Sequence, residues 1–179
     1  SIKDKNGYAS SSVNLASTYI KMGELEKANK SLKESVKLFE ELSNERAIHL
    51  TKIEMSKINY YSNNLTDSIN LLNGTLDYFK KINDLPYLIE NLIFISRLYR
   101  YNNQIEDSSN MINSAEKYNT DYKNDLLSKK ISIEQAILDL INNPKSLILK
   151  EMIKDEINDE LKAYIYYNYG KISNDSSSI

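Results

Sequence analysis

A fixed spacing of 40 residues is the feature of this chain that most constrains its fold. Leu25, Leu65 and Ile105 lie 40 residues apart. The same shift relates three further triplets of similar size: Ala28, Ser68 and Ser108; Leu32, Leu72 and Ile112; and Ser35, Thr75 and Ala115. Such a period is typical of a stacked array, in which each unit buries its apolar face against its neighbours. We therefore predict one elongated repeat domain.

Each repeat contains two runs with helical spacing. In the first repeat the apolar and small positions are Leu15, Ala16 and Tyr19, followed by Leu25, Ala28 and Leu32. Residues that recur three and four positions apart share one face of an α-helix. Between the runs stand residue types that tolerate the positive φ found where a helix ends: Gly23, Asn63 and Asn103. The pattern predicts an all-α fold built from helix pairs.

The repeats divide the chain as follows. We predict a polar leader at 1–6, repeats at about 7–42, 45–82 and 85–118, a degenerate repeat at 122–157, a capping helix at 159–170 and a flexible tail at 173–179. Pro144 is expected to open a helix that reaches about residue 157. Gly74 falls inside a predicted helix, where it is either a tolerated defect or the site of a close helix crossing.

Composition excludes several classes of function. A net charge of −2 does not provide the basic excess expected of a nucleic-acid-binding domain. The chain has no cysteine for a disulfide or a thiolate site, and no apolar run approaches the length of a membrane span. The chain begins at Ser1 without a methionine, so we expect a piece of a longer protein, located in the cytoplasm and without membrane insertion.

No motif for catalysis, a cofactor or a metal is apparent. His49 is the only histidine in the sequence, and it has no cysteine to join it in a metal site. We predict that it lies on the surface. A Gly-rich phosphate loop and a Ser/His/Asp set are both missing from the sequence. We therefore predict that the chain is not an enzyme and needs no cofactor.

The order Leu15-Ala16-x-x-Tyr19-x-x-x-Gly23-x-Leu25-x-x-Ala28-x-x-x-Leu32 resembles the tetratricopeptide repeat (TPR). The usual period of that family is 34 residues, and here each helix is about one turn longer. The longer form is similar to arrays attached to bacterial signalling proteins. The resemblance implies a right-handed superhelical stack of antiparallel helix pairs, an α-solenoid, with a concave groove lined by the first helix of each pair.

The resemblance also implies which residues line that groove. The positions are Asn14, Lys21, Lys57, Tyr60, Tyr61, Phe94, Arg97, Arg100 and Tyr101. Tyr and Arg dominate binding hot spots, and Arg can hold a carboxylate through two hydrogen bonds. These types point to an acidic or C-terminal carboxylate-bearing partner segment. The alternative is that they are ordinary solvated charges and half-buried rings that pack along the helices.

The resemblance thus implies a protein- or peptide-binding module, the sensory or scaffolding part of a larger bacterial signalling protein. A homo-oligomerisation element, forming a homodimer that controls an attached output domain, is the alternative. The apolar run Tyr164-Ile165-Tyr166-Tyr167 motivates that alternative. Neither reading involves nucleic acid.

Overall fold

A computed structural model of the protein describes residues 2–154 and 159–176. These residues contain nine α-helices and no strand, which confirms the all-α prediction. The helices are α1 (Ile2–Lys21), α2 (Leu25–Glu41), α3 (Glu45–Tyr61), α4 (Leu65–Lys81), α5 (Leu85–Tyr101), α6 (Ile105–Tyr122), α7 (Asp125–Asn142), α8 (Ile148–Met152) and α9 (Asp159–Ser176). Helices α1–α4 belong to one compact unit, which ends at Asp84, and α5–α9 belong to a second, which starts at Leu85.

The connections between the helices repeat every 20 residues, half of the period seen in the sequence. Helices α2 to α7 begin at this interval, from Leu25 to Asp125. The middle residue of each of the first five connections has a positive φ, between 50° and 77°: Gly23, Ser43, Asn63, Asn83 and Asn103. The three positions predicted to adopt this conformation are confirmed. The connection within a helix pair therefore has the same form as the connection between pairs.

Each of these connections closes the helix before it with the same hydrogen bonds. In the first, the amide of Glu24 donates to the carbonyl of Tyr19 at 2.9 Å, and the amide of Gly23 donates to the carbonyl of Ile20 at 3.0 Å. This is the Schellman arrangement, which satisfies carbonyls left unpaired at a helix end. The carbonyl of Glu24 accepts a hydrogen bond from the amide of Ala28, so the next helix begins directly after the connection.

Helices joined by such short connections run antiparallel and pack as pairs. In the first unit α1 packs on α2 and α3 on α4, while α3 also contacts α2 and α1. In the second unit α5 packs on α6, α7 contacts both of them, and α8 and α9 pack on α7. Within each unit, successive helices therefore stack neighbour on neighbour, as expected of a helical repeat.

The second helices of the three pairs bury the same row of positions. The buried residues are Ala28, Leu32, Ser35 and Phe39 in α2; Ser68, Leu72, Thr75 and Phe79 in α4; and Ser108, Ile112, Ala115 and Asn119 in α6. Each buried position of one row has its counterpart 40 residues later in the next row, which confirms the predicted 40-residue spacing. Asn119, which replaces a phenylalanine, donates to the carbonyl of Asn124 and to Ser128 Oγ, so its amide ties α6 to the start of α7.

Small residues mark the place where the two helices of a pair cross. They are Ala16 and Ala28 in the first pair, Ser56 and Ser68 in the second, and Ser96 and Ser108 in the third, and all are buried. Ser68 Oγ donates to the carbonyl of Ser56 at 2.7 Å. The third pair forms the equivalent bond in both directions, at 3.0 and 2.8 Å. Close approach thus lets side-chain hydroxyls reach the backbone of the facing helix.

Gly74 takes no part in a close crossing. A Cβ atom built on it would meet no atom within 4 Å. Of the two interpretations of this glycine, the close crossing is therefore wrong, and Gly74 is a tolerated defect of α4.

Several boundaries differ from those predicted. Helix α1 begins at Ile2, so it includes residues assigned to the leader, among them Lys5, which forms an exposed ion pair with Glu41 at 2.8 Å. Helix α6 continues past residue 118 to Tyr122, where Lys123 at φ 56° ends it. Helix α9 extends to Ser176, so the first part of the predicted tail is helical, whereas 177–179 lie outside the described residues.

The prediction that a helix starts at Pro144 is wrong. The amide of Ser146 donates to the carbonyl of Asn143 at 2.8 Å, which closes a turn around Pro144 and Lys145. Proline suits the second position of such a turn as well as the first turn of a helix, and here the turn forms. The helix that follows, α8, has 5 residues, and residues 155–158 lie outside the described part of the chain.

Candidate functional site

In the first unit the predicted groove residues lie at or near the surface of α1 and α3. Asn14 and Lys21 are exposed on α1. On α3, Lys57 Nζ donates to Glu54 Oε1 at 2.5 Å, one turn away along the same helix. The rings of Tyr60 and Tyr61 lie 5.0 Å apart, and Tyr61 is 61% exposed. Tyr61 is thus exposed on α3, while Lys57 is paired within the same helix.

The second unit places its four predicted residues differently. Phe94, Arg97 and Tyr101 are half-buried on α5, and Arg100 is buried. Both arginines turn toward Glu134 on α7, a carboxylate that is 1% exposed. Their guanidinium groups are therefore engaged inside the unit.

Glu134 is bound by the two arginines through different oxygens. Arg97 Nε donates to Oε1 at 2.5 Å, and Arg100 Nη2 lies 3.4 Å from Oε2. Charge-assisted hydrogen bonds of this kind are stronger than neutral ones. A carboxylate buried to this degree is normally paired, because an unpaired buried charge is very costly.

Arg100 extends the contacts to α9. Its Nη2 atom donates to the hydroxyl of Tyr164 at 2.8 Å, and its Nη1 atom donates to Asn168 Oδ1 at 3.0 Å. Asn168 Nδ2 in turn donates to the carbonyl of Tyr164 at 2.8 Å. We call Arg97, Arg100, Glu134, Tyr164 and Asn168 the Glu134 cluster. It links α5, α7 and α9 through side chains that are mostly out of water.

Aromatic rings cover the two guanidinium groups. The Arg97 Cζ atom lies 4.4 Å from the centre of the Tyr164 ring, and the Arg100 Cζ atom lies 4.7 Å from that of Tyr101. A cation above an aromatic face is attracted by the ring quadrupole, more so when water is excluded. These contacts help to hold two positive charges against a single carboxylate.

The electrostatics of the cluster keep both arginines charged and Tyr164 neutral. Burial lowers the pKa of Arg97, but the charge of Glu134 opposes this and the pKa lies above its ordinary value. Burial likewise lowers the pKa of Arg100, but the charge of Glu134 opposes this and the pKa lies above its ordinary value. Burial raises the pKa of Tyr164, and the charge of Glu134 adds to it. Its hydroxyl therefore remains protonated and accepts a hydrogen bond from Arg100.

His49, which the sequence predicts to lie on the surface, is half-buried. Its ring stacks on Tyr78 with centres 4.1 Å apart and planes at 8°, and it meets the edge of Phe79 at 6.2 Å. Its Nδ1 atom is buried and has no hydrogen-bond partner within the described part of the chain. Burial lowers the pKa of His49, as does the charge of Lys52, while Glu45 acts in the opposite sense. The imidazole is therefore a neutral packing element between α3 and α4.

The run from Tyr164 to Tyr167 does not form one apolar surface. Tyr164 belongs to the Glu134 cluster and Ile165 is fully buried against α7 and α8 residues. Tyr166 and Tyr167 are exposed on another side of α9. The sequence feature that motivated self-association thus divides between interior and surface.

No three His, Cys, Asp or Glu side chains among the described residues are grouped so that they could hold a metal ion. None of the helices within 2–154 and 159–176 is long and apolar enough to cross a membrane.

Sequence reasoning did not identify Glu134 as the partner of the arginines. A signal was available, because Glu134 lies in a predicted helix next to Ile133 and two residues before Ala136, both on its apolar face. An acidic residue next to a row of buried apolar residues predicts that a cationic side chain is buried with it, because charged residues are rarely buried unless they are paired. The sequence does not show which cation pairs with Glu134, because Arg100 is 34 residues away along the chain.

Comparison with known families leaves the fold as the main guide to function. A scan against protein-family models found no match, and a search of curated proteins found no significant match. The chain can therefore be described, from its own coordinates, as an all-α protein with helical repeats.

Proposed function

We propose that the chain is a protein-interaction module of the TPR type, which binds a peptide or protein segment along the first helices of its pairs. The recurrence of buried rows after 40 residues supports this proposal. Stacked helix pairs of this kind create extended surfaces, which repeat proteins use for binding. The module acts as the sensory or scaffolding part of a larger bacterial signalling protein.

The observation that carries the proposal is the exposed face of α3. Tyr61 is 61% exposed, and Lys57, four residues earlier, lies on the same face of α3. Tyrosine offers a large contact area at a small cost in conformational entropy, and it is enriched among residues that dominate binding. Because α3 is packed on α1, α2 and α4, its backbone needs little ordering when a partner binds.

The charges favour an acidic partner segment. Lys21 is exposed on α1, and Lys57 on α3 is paired with Glu54 but keeps 39% of its side-chain exposure. In the second unit Arg97 and Arg100 already neutralise Glu134, so they are less available to a ligand than the sequence alone indicates. The proposed contact is therefore centred on Lys57 and Tyr61, with Asn14 and Lys21 beside them on α1.

A display library of random peptides tests the proposal. Selection on the unmodified protein should yield binders rich in Asp and Glu, and the double variant Lys57→Glu/Tyr61→Ala should lose them. The matched control is Lys27→Glu/Tyr167→Ala. Lys27 is also paired with a nearby glutamate, Glu24, at 3.2 Å, and Tyr167 is 60% exposed. Peptides that bind both double variants equally, or a selection that yields no binder, would refute the proposed surface.

A second candidate is a homo-oligomerisation element. The observation that favours it is a set of exposed apolar side chains on α1 and directly after it, namely Tyr8, Leu15 and Met22. Its test is the dependence of molecular mass on protein concentration.

A further inference from the structure

Glu54 on α3 occupies the position in its repeat that Glu134 occupies on α7. The two residues are separated by two periods of 40 residues. Helix α3 packs on α1, the first helix of the pair before it, and α7 packs in the same way on α5. Because the neighbouring helices are equivalent, the contacts of Glu134 show what a carboxylate at this position can bind.

Glu134 binds one cation through each of its two oxygens. Arg97 Nε donates to Oε1, and Arg100 Nη2 lies 3.4 Å from Oε2. The residue of α1 that stands two periods before Arg97 is Ser17. The residue that stands two periods before Arg100 is Ile20. Helix α1 therefore supplies no cation at the two positions from which α5 binds Glu134.

Lys57 pairs with one of the two oxygens of Glu54. Oε1 accepts a hydrogen bond from Lys57 Nζ at 2.5 Å. Oε2 is shielded from water and has no hydrogen-bond partner among the residues that the structure describes. The Glu54 side chain as a whole keeps 18% of its exposure, so the carboxylate lies close to the surface. A carboxylate oxygen that is out of water and unpaired carries a desolvation cost, which a second cation would remove.

We propose that Glu54 Oε2 binds the guanidinium group of an arginine in the partner segment. This inference deepens the proposed function and rests on it for the segment. Glu54, Lys57 and Tyr61 follow one another in steps of three and four residues, so they lie along one face of α3. Arginine suits the site because its planar group presents several donors to a carboxylate, as Arg97 and Arg100 do at Glu134.

The spacing of these residues predicts the order of charges in the segment. Along the axis of α3, Glu54 and Lys57 are about 4.5 Å apart, and Lys57 and Tyr61 are about 6 Å apart. An extended peptide advances by about 3.3 Å per residue. The arginine bound at Glu54 and the acidic residue bound at Lys57 should therefore be one or two positions apart. A residue with an apolar side chain should follow about two positions beyond the acidic one, opposite Tyr61.

The small molecule N-acetyl-arginine amide tests the site at Glu54 without a partner segment. Titration into the unmodified protein, followed by nuclear magnetic resonance, should shift the α3 amides around Glu54 with a Kd on the order of 1–10 mM, as expected for one charged group with few further contacts. N-acetyl-citrulline amide has the same shape but no charge and should bind at least about tenfold more weakly. Glu54→Gln should weaken binding of the arginine probe by a similar factor. The matched control is Glu34→Gln, which changes an exposed glutamate on α2 and should leave binding unchanged.

A cation supplied by α1 itself should occupy the same site. Ser17 is half-buried, and Ser17→Arg places a guanidinium group at the position from which Arg97 binds Glu134. This variant should bind the arginine probe at least about tenfold more weakly, whereas the neutral variant Ser17→Gln should bind it as the unmodified protein does. Equal binding of the arginine and citrulline probes, or undiminished binding of the arginine probe to Glu54→Gln, would overturn the proposal. So would the absence of saturable binding to the unmodified protein.

The library of random peptides separates this inference from the proposed function. Peptides selected on the unmodified protein should carry an arginine one or two positions from an Asp or Glu. Peptides selected on Glu54→Gln should remain acidic but should no longer be enriched in arginine at that spacing. Acidic binders without such an arginine would overturn the site at Glu54 and leave the proposed surface at Lys57 and Tyr61 intact. A selection without binders would refute the proposed surface, and the arginine probe alone would then decide whether Glu54 binds a guanidinium group.

Discussion

Replacing Glu134 with alanine should strongly destabilise the second unit. Arg100 is buried, and the substitution leaves its guanidinium group with the neutral partners Tyr164 and Asn168. Removing one partner of a buried ion pair typically costs about 3–5 kcal/mol, because the remaining charge stays out of water. We expect a loss near 3 kcal/mol, since the hydrogen bonds to α9 and the ring of Tyr101 still surround Arg100.

Variants of the arginines show whether burial of charge is the cause. Arg97 retains 27% of its side-chain exposure, so Arg97→Ala should cost about 1.5–3 kcal/mol, the range for one lost charged hydrogen bond. The double variant Glu134→Leu/Arg100→Met replaces the buried pair by apolar side chains and should recover most of the stability lost in Glu134→Ala.

Urea unfolding followed by circular dichroism measures these changes, and hydrogen exchange locates them. Amides of α5, α7 and α9 should lose protection in Glu134→Ala, because the cluster joins these three helices. A loss of less than about 1 kcal/mol in Glu134→Ala would be typical of an exposed ion pair and would refute the buried cluster.

Three further substitutions have defined outcomes. Gly74→Ala should raise the free energy of unfolding by about 0.5–1 kcal/mol, because alanine favours the helix and meets no obstacle; an unchanged urea midpoint would contradict this. Lys123→Gly should stabilise by about 1 kcal/mol, since Lys123 holds φ at 56°, whereas Lys129→Gly within α7 should destabilise. The depressed pKa of His49 means that the unfolded chain takes up its proton first as the pH falls below 6.5. The stabilisation from the neutral imidazole should be complete above pH 6.5 and decline below it, by less than about 1 kcal/mol because the ring is partly exposed to solvent. The urea midpoints at pH 7.5 and 5.5 should therefore differ less in His49→Gln than in the unmodified protein. An equal difference in both proteins would exclude this role of His49.

The sequence predicts the helix pairs well because local signals determine them. The predicted repeat starts at residues 45 and 85 agree with the starts of α3 and α5, since each follows a polar connection and opens a row of apolar residues. The 20-residue period was not recognised, because Ser43 and Lys123 are not residue types that indicate a positive φ.

The Glu134 cluster could not be derived from spacing alone. Arg100 meets Glu134 34 residues later and Asn168 68 residues later, so the contacts depend on how three helices pack. The resemblance to the TPR places Arg97 and Arg100 in a groove by position. It contains no information about a carboxylate on α7 that neutralises them. The exposed residues of α3 were easier to predict, because their surroundings repeat within the local pair.

The uniform connections restrict how the chain can change in length. One inserted residue would either break the hydrogen bonds that end a helix, such as that from Glu24 to Tyr19, or delay the next helix by a residue. Such a delay turns the following buried row by about 100° and exposes it to water. Insertions and deletions should therefore be tolerated at the turn around Pro144 but not at Ser43 or Asn63. Growth of such a chain through evolution is then restricted to duplication or loss of whole helix pairs.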